Sequence, residues 1–183
     1  MSNYRRWHED GGSYFITVTT HERRRILCTP AARGFLKGAM DEERRRRTFV
    51  LDAIVLLPDH MHLLMTLPAG DTDYSSRIGQ IKKRFTAAFL AQGGQEGIST
   101  PSRQRQRYRG VWEKRFWEHT IGSRRDFVMH LDYIHVNPVK HGLVQRPADW
   151  PWSSFHRYLK DGRYDPNWCG HVNIKGVRYL DPD

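Results

Sequence analysis

The chain of 183 residues holds 30 Lys and Arg against 20 Asp and Glu, a formal charge of +10, and 38% of it is hydrophobic. That length supports one core more readily than two; 23 of the cations are Arg, whose planar fork pairs with phosphate and stacks on bases, so nucleic acid is the expected partner. Cys28 and Cys169, far apart, exclude a disulfide framework and a Cys-rich zinc module, and the absence of a charged-then-apolar leader or an apolar run near the ~18 residues of a membrane span makes a soluble cytoplasmic protein the expectation.

Tyr14 to Thr20 is rich in β-branched and aromatic residues, follows the turn signal Gly11-Gly12 and reads as the first strand. Arg23, Arg24 and Arg25 come directly after it. Thr29 as N-cap and Pro30 at the first helical position open a helix with the apolar stripe Phe35, Leu36, Ala39 and Met40. Its charged end, Asp41 to Arg47, either pairs its arginines with Glu42 and Glu43 or meets DNA. Phe49 to Leu57, interrupted only by Asp52, has the pattern of a central strand covered on both faces. Pro58-Asp59 turns it back as an antiparallel hairpin, through a two-residue or a wider loop.

From His60 the residues alternate with period two, so Met61, Leu63, Met65 and Leu67 share one strand face and His60, His62, Leu64 and Thr66 the other. Two neighbouring imidazoles suit one divalent cation, although a strand with His on its solvent face has the same pattern. A second helix begins near Ser75 or Ser76, with Ile78, Ile81, Phe85, Ala88 and Phe89 on one face and Arg77, Lys82, Lys83 and Arg84 around the rest. Residues 92–110 have no apolar period and read as a mobile basic loop within the domain.

Val111 to Ile121 interleaves aromatic and charged residues, among them Trp112, Arg115, Phe116, Trp117 and His119. It is extended, either as an edge strand near nucleic acid or as a plain half-buried strand. Ser123 to Asp126 is a capping box that starts a third helix. On it Phe127, Leu131 and Ile134 form an apolar arc, with His130, Tyr133 and Asn137 as a polar stripe beside it. Tyr133 is thus expected at the core edge with its hydroxyl free to reach a site, and Asn137-Pro138 is expected to close the helix. Trp150 to Tyr158 reads as a short helix entered through a proline. The domain is expected to span 1–168, with a polar tail over 169–183.

A His-x-His strand, a helical Tyr with an amide one turn later and a basic surface make one chemical unit. On this reading a cation on His60 and His62 would bind a phosphate oxygen as Lewis acid, and Tyr133 would attack phosphorus to give a phosphotyrosine. One ester is exchanged for another, so a free 3′-hydroxyl can rejoin the strand without ATP. Asn137 as a third, harder ligand suits Mg²⁺ or Mn²⁺ better than two imidazoles alone.

The same residues resemble a known family. Tyr4-Arg5-Arg6 with Gly11-Gly12, Phe15-Ile16-Thr17-Val18, Leu57-Pro58-Asp59-His60-Met61-His62 and Arg115-Phe116-Trp117-Glu118-His119 carry the resemblance, with Asp132 to Gly142 and Asp149 to Phe155. Together they resemble the REP-associated tyrosine transposases, relatives of the single-tyrosine HUH transposases of small bacterial insertion sequences. The resemblance implies His60 and His62 as metal ligands and Tyr133 as nucleophile. It implies single-stranded DNA from REP palindromes, imperfect hairpins with a GTAG-like foot, as substrate. The implied fold is α+β, a single-domain HUH-type central antiparallel sheet flanked by helices, with the nucleophile on a helix facing the His-x-His strand. Insertion-sequence relatives commonly carry Gln one turn beyond the nucleophile, where this chain has Asn137.

For DNA contact the candidates divide by chemistry, since phosphate contacts give affinity and base contacts give sequence choice. Arg103, Arg105, Arg107 and Arg109 are expected on phosphates, and Arg23, Arg24, Lys82, Lys83 and Arg115 are expected at the DNA without assignment to either class. Arg5, Arg6 and Trp7, then Trp117 and His119, are expected on unpaired bases. The expectation is a monomer, nucleoid-associated when DNA-bound. Two other classes compete: a binding module without chemistry for hairpin DNA or structured RNA, and a His-liganded metallohydrolase using bound water. The second lacks a His-Glu-x-x-His helix and further carboxylates around the pair.

Overall fold

The structure, a computed structural model, describes residues 10–98, 101, 105 and 108–168. Arg5, Arg6, Trp7, Arg103, Arg107 and the 169–183 tail lie outside the described residues. Four strands, β1 (Ser13–Thr19), β2 (Val50–Leu56), β3 (His60–Thr66) and β4 (Trp117–Thr120), pair antiparallel throughout in the order β2-β3-β1-β4. Helices α1 (Pro30–Arg46), α2 (Tyr74–Ala91), α3 (Arg124–Lys140) and the short α4 (Phe155–Lys160) flank this sheet.

Strand alternation divides the interior into two cores. Tyr14, Ile16 and Val18 of β1 and Met61, Leu63 and Met65 of β3 pack with Leu36 and Met40 of α1 and Ile78, Ile81 and Phe85 of α2. Phe15, Ala53, Val55 and Leu64 face the other way, onto Leu131, Tyr133 and Ile134 of α3 and Tyr158 of α4. The period-two reading of β3 therefore holds, and its imidazole face is the one that α3 covers.

Local chemistry explains the helix boundaries. The Thr29 side chain accepts from the Ala32 amide with Pro30 at the first position of α1, and the end of α1 is an ion-paired surface: Arg45 and Arg46 meet Glu42, and Arg47 meets Glu43. Asp73 caps α2 by accepting from the Ser76 amide, so the helix starts at Tyr74, beside Ser75 as expected. Ser123 caps α3 as expected, accepting from the Asp126 amide.

Two expectations are corrected. The continuous apolar run of β2 is an edge strand, not a central one; the segment after α3 covers its free edge, with the Leu56 amide donating to the Trp152 carbonyl and the Ser154 amide to the Ile54 carbonyl, both at 2.8 Å. Helix α3 does not close at Pro138 but runs on to Lys140. Pro138 lies in the last turn, where one missing amide costs a single ladder bond, and the His141 amide still reaches the Asn137 carbonyl at 3.0 Å.

Pro58-Asp59 is a two-residue connection, closed by the Leu57 amide on the His60 carbonyl at 2.9 Å. Neighbouring chain holds this uncommon turn in place. The Leu27 amide donates to the Pro58 carbonyl, and the Thr20 amide and hydroxyl both donate to the Asp59 carbonyl.

Candidate active site

The hairpin turn and the β1–β3 register position the two imidazoles. His60 opens β3, where Asp59 Oδ1 lies 2.7 Å from its Nδ1; a carboxylate there holds the ring with Nδ1 protonated and turns Nε2 into the ligating nitrogen. Thr17 lies opposite His62 in the ladder, and its hydroxyl meets His62 Nδ1 at 2.9 Å. Both rings are thus oriented from behind by a polar neighbour, and they meet edge to face with centroids 4.9 Å apart.

Helix α3 brings its polar stripe onto this pair. The Tyr133 ring meets His62 at 5.4 Å, and the His141 ring, just past the helix end, meets His60 at 5.1 Å. Asn137 lies midway between those residues at a spacing of four, so it falls between the two contacts on the same helical face. Its side chain is fully buried, and neither its Oδ1 nor its Nδ2 has a hydrogen-bond partner among the described residues; His60 Nε2 is in the same condition. Burying such groups unsatisfied costs about 1–3 kcal/mol each. Two oriented imidazoles and an amide oxygen fit a divalent cation, which would satisfy the ring nitrogens and Asn137 Oδ1.

Tyr133 is deeper than a core-edge position implies, 1% exposed, and its hydroxyl is engaged: Lys140 Nζ donates to Tyr133 Oη at 2.8 Å. Lys140 was not legible as a site residue because the proline suggested that the helix had ended. With α3 continuing, its spacing of seven from Tyr133 puts it on the same face, and that periodicity is the signal that identifies it. Beside His60 opens a cleft of about 180 Å³ lined by Arg25, Leu57, Pro58, Asp59, His141 and Leu143. Arg25, Asp59, Thr17 and His141 also escaped the reading from sequence.

A family model described as "Transposase IS200 like" matches residues 10–137. A REP-associated tyrosine transposase of Escherichia coli (strain K12) is 42% identical over 172 residues, 94% of this chain and 93% of that protein. The chain belongs to the REP-associated tyrosine transposases. A Haemophilus influenzae relative is 42% identical over 175 residues, 96% of this chain and 97% of its own length. Among solved structures, that of a REP-associated tyrosine transposase bound to a REP hairpin aligns with TM-score 0.78 and 41% identity, covering 94% of both chains. The antiparallel sheet flanked by helices is therefore the architecture of this transposase family.

The remaining candidates fall into separate places. Lys82 and Lys83 of α2 and Arg109 line a cleft of about 510 Å³ with Tyr108, Trp112 and Lys114. Lys82 Nζ donates to the Glu113 carbonyl at 2.7 Å, and Arg109 pairs with Glu96. Arg24 bonds the Gln95 and Gly110 carbonyls, tying the described ends of the basic loop to the connection after β1, and Arg23 lies 3.6 Å from Asp59. Arg105 and Arg115 are exposed.

Trp117 and His119, expected as base readers, are half-buried on the α3 side of the sheet. Trp117 packs edge-on against Phe15 and stacks over His119, and His119 Nε2 meets Asp126 Oδ2 at 2.9 Å. Burial works to raise the Asp126 carboxyl, but the Gly122 amide and His119 outweigh it and hold it below the usual carboxylate range. Burial lowers His130, which lies against the same carboxylate.

Proposed function

We propose that this transposase cleaves and rejoins single-stranded DNA at REP-type hairpins through a 5′-phosphotyrosine on Tyr133, with His60, His62 and Asn137 holding Mg²⁺ or Mn²⁺. The observation that carries the reading is the contact of Tyr133 with His62 on the face where the Asn137 amide and His60 Nε2 are buried without hydrogen-bond partners among the described residues. A transposase bound to a REP hairpin, 41% identical to this chain, supports the same substrate class.

In the cleavage step Tyr133 Oη forms a bond to phosphorus as the bond from phosphorus to the 3′-oxygen breaks, leaving a free 3′-hydroxyl and a 5′-phosphotyrosine. A divalent cation held by His60, His62 and Asn137 would supply Lewis-acid neutralisation of phosphate charge. Lys140, donating to Tyr133 Oη, stabilises the negative charge that the nucleophile carries as it attacks. Asp59 and Thr17 keep the imidazoles in the ligating tautomer. Return attack by a 3′-hydroxyl on the phosphotyrosine restores the tyrosine and a phosphodiester.

The test is a denaturing gel of the protein with a labelled single-stranded hairpin and Mg²⁺ or Mn²⁺. Wild type is expected to yield a cleaved strand and a covalent protein–DNA band, and Tyr133→Phe to bind the hairpin while giving neither. Undiminished cleavage by Tyr133→Phe removes Tyr133 from the mechanism. Hairpin binding by wild type with no cleavage in either metal favours a hairpin DNA or RNA binding module without chemistry.

A further inference from the structure

Away from His60 and His62, on the far side of the Phe15 ring, His119, Asp126 and His130 converge. The Asp126 carboxylate spans two imidazoles, with Oδ2 2.9 Å from His119 Nε2 and Oδ1 2.9 Å from His130 Nδ1. The two rings stack with centroids 4.6 Å apart and an 18° tilt, so they present parallel edges to one carboxylate. One ligand atom from each residue lies within 4.8 Å of the other two, and among the described residues this is the group of His, Cys, Asp and Glu with that property.

We propose that His119, Asp126 and His130 form a second metal site, for a borderline transition cation such as Zn²⁺, distinct from the His60–His62–Asn137 site. The donor set selects the metal class, because two imidazoles and one carboxylate suit Zn²⁺ or Co²⁺ better than Mg²⁺. Ligand atoms about 2.0–2.1 Å from a tetrahedral Zn²⁺ lie ~3.3 Å from one another; the two imidazole–carboxylate contacts are at 2.9 Å and all three ligand atoms lie within 4.8 Å of one another. His130 Nδ1 also meets the Asp126 backbone carbonyl at 2.9 Å, a hydrogen bond that metal binding replaces.

The supporting structure is also that of a ligand cluster. Asp126 and His130 are four residues apart on α3, one above the other. The Gly122 amide donates to Asp126 Oδ2 at 2.9 Å and fixes the carboxylate from outside. His130 is fully buried, whereas His119 and Asp126 are 29% and 20% exposed, which leaves one side open to solvent for metal entry and a fourth ligand. Phe15 separates the two sites, 4.8 Å from the His130 ring and 5.4 Å from that of His62. A cation here ties the edge strand β4, through His119, to the helix that carries Tyr133 three residues after His130. The inference does not depend on the cleavage chemistry.

The test uses full-length protein stripped with chelator, in a His60→Ala/His62→Ala background that removes the first imidazole pair. Co²⁺ titration followed by visible absorption is expected to show one equivalent bound, and Zn²⁺ to raise the melting temperature, as a ligand of the folded state must. His119→Ala, at a partly exposed position, and the isosteric Asp126→Asn are each expected to weaken Co²⁺ binding by at least about tenfold in that background, circular dichroism confirming the fold. No Co²⁺ band and no Zn²⁺ shift in the background protein, or binding unchanged by both further substitutions, overturns the site and leaves the Tyr133 reading untouched.

Discussion

Tyr133 and Lys140 show how one hydrogen bond assigns work to a residue. Lys140 Nζ lies 2.8 Å from Tyr133 Oη, the oxygen proposed as nucleophile, and its ammonium also sits 5.0 Å from the centre of the same ring. A positive donor at that oxygen acts on the attacking charge more than on bound DNA, so its loss belongs to the chemical step. Lys140→Gln is expected to reduce single-turnover cleavage by about 100-fold, the usual scale for one preorganised donor, with hairpin affinity at fixed salt little changed. An unaltered cleavage rate with weakened binding would make Lys140 a phosphate contact. The residues legible in the sequence were those whose relation is periodic along one element: His60 with His62, and Tyr133 with Asn137. Thr17 was hidden because it meets His62 through the β1–β3 register, which no local pattern specifies. Asp59, adjacent to His60, was legible in principle and was read only as a turn residue.

At the scale of elements, α2 is anchored by a buried cation. Arg77 is 1% exposed and its guanidinium grips both Asp71 oxygens, at 3.1 and 2.5 Å, while donating to the Thr48 and Asp73 carbonyls. The hydrogen bonds from Arg77 hold the Asp71 carboxyl below its usual range, against the raising effect of burial. Because its value is depressed in the folded state, Asp71 contributes stability above the unfolded value of about 3.9, and that contribution is lost as pH falls through the folded one. Asp71→Asn leaves a buried guanidinium without its counter-charge, a change that costs about 3–5 kcal/mol for fully buried pairs. Asp71 is 28% exposed, so a loss nearer 2–3 kcal/mol is expected after discounting for solvent screening. Urea midpoints of wild type and variant should differ clearly at pH 7 and draw together as pH falls below about 3.9; a gap that does not narrow there would rule out the ion pair as the cause. The sequence placed Arg77 among surface cations because helical periodicity assigns faces, not depth. The same limit made β2 look central: its apolar run does face cover on both sides, but part of that cover is the returning chain at Trp152 to Ser154, not another strand.

Over the whole molecule, the charge of +10 is not spread as the sequence runs suggest, and this decides where DNA affinity should reside. The densest run, Arg44 to Arg47, is largely neutralised on its own helix: Arg45 and Arg46 share Glu42, and Arg47 shares Glu43 with Arg84 and also reaches Asp73. By contrast Lys83, on the basic cleft beside Arg109 and Lys114, and Arg115, just beyond it in the chain, are exposed. A cation already paired with a carboxylate gains little from a phosphate, since it must give up one anion for another. An exposed cation in a basic concavity releases a condensed counterion when it meets DNA. Lys83→Gln and Arg115→Gln are therefore each expected to reduce the log–log slope of hairpin binding against salt by about 0.7–0.9. Arg45→Gln and Arg46→Gln, which remove the same formal charge, should leave the slope nearly unchanged. The measurement is the equilibrium affinity of each variant for one hairpin at several salt concentrations. If the α1 pair lowered the slope as much as the cleft pair, net charge rather than its placement would govern DNA binding, and the cleft beside α2 would lose its claim as a phosphate track.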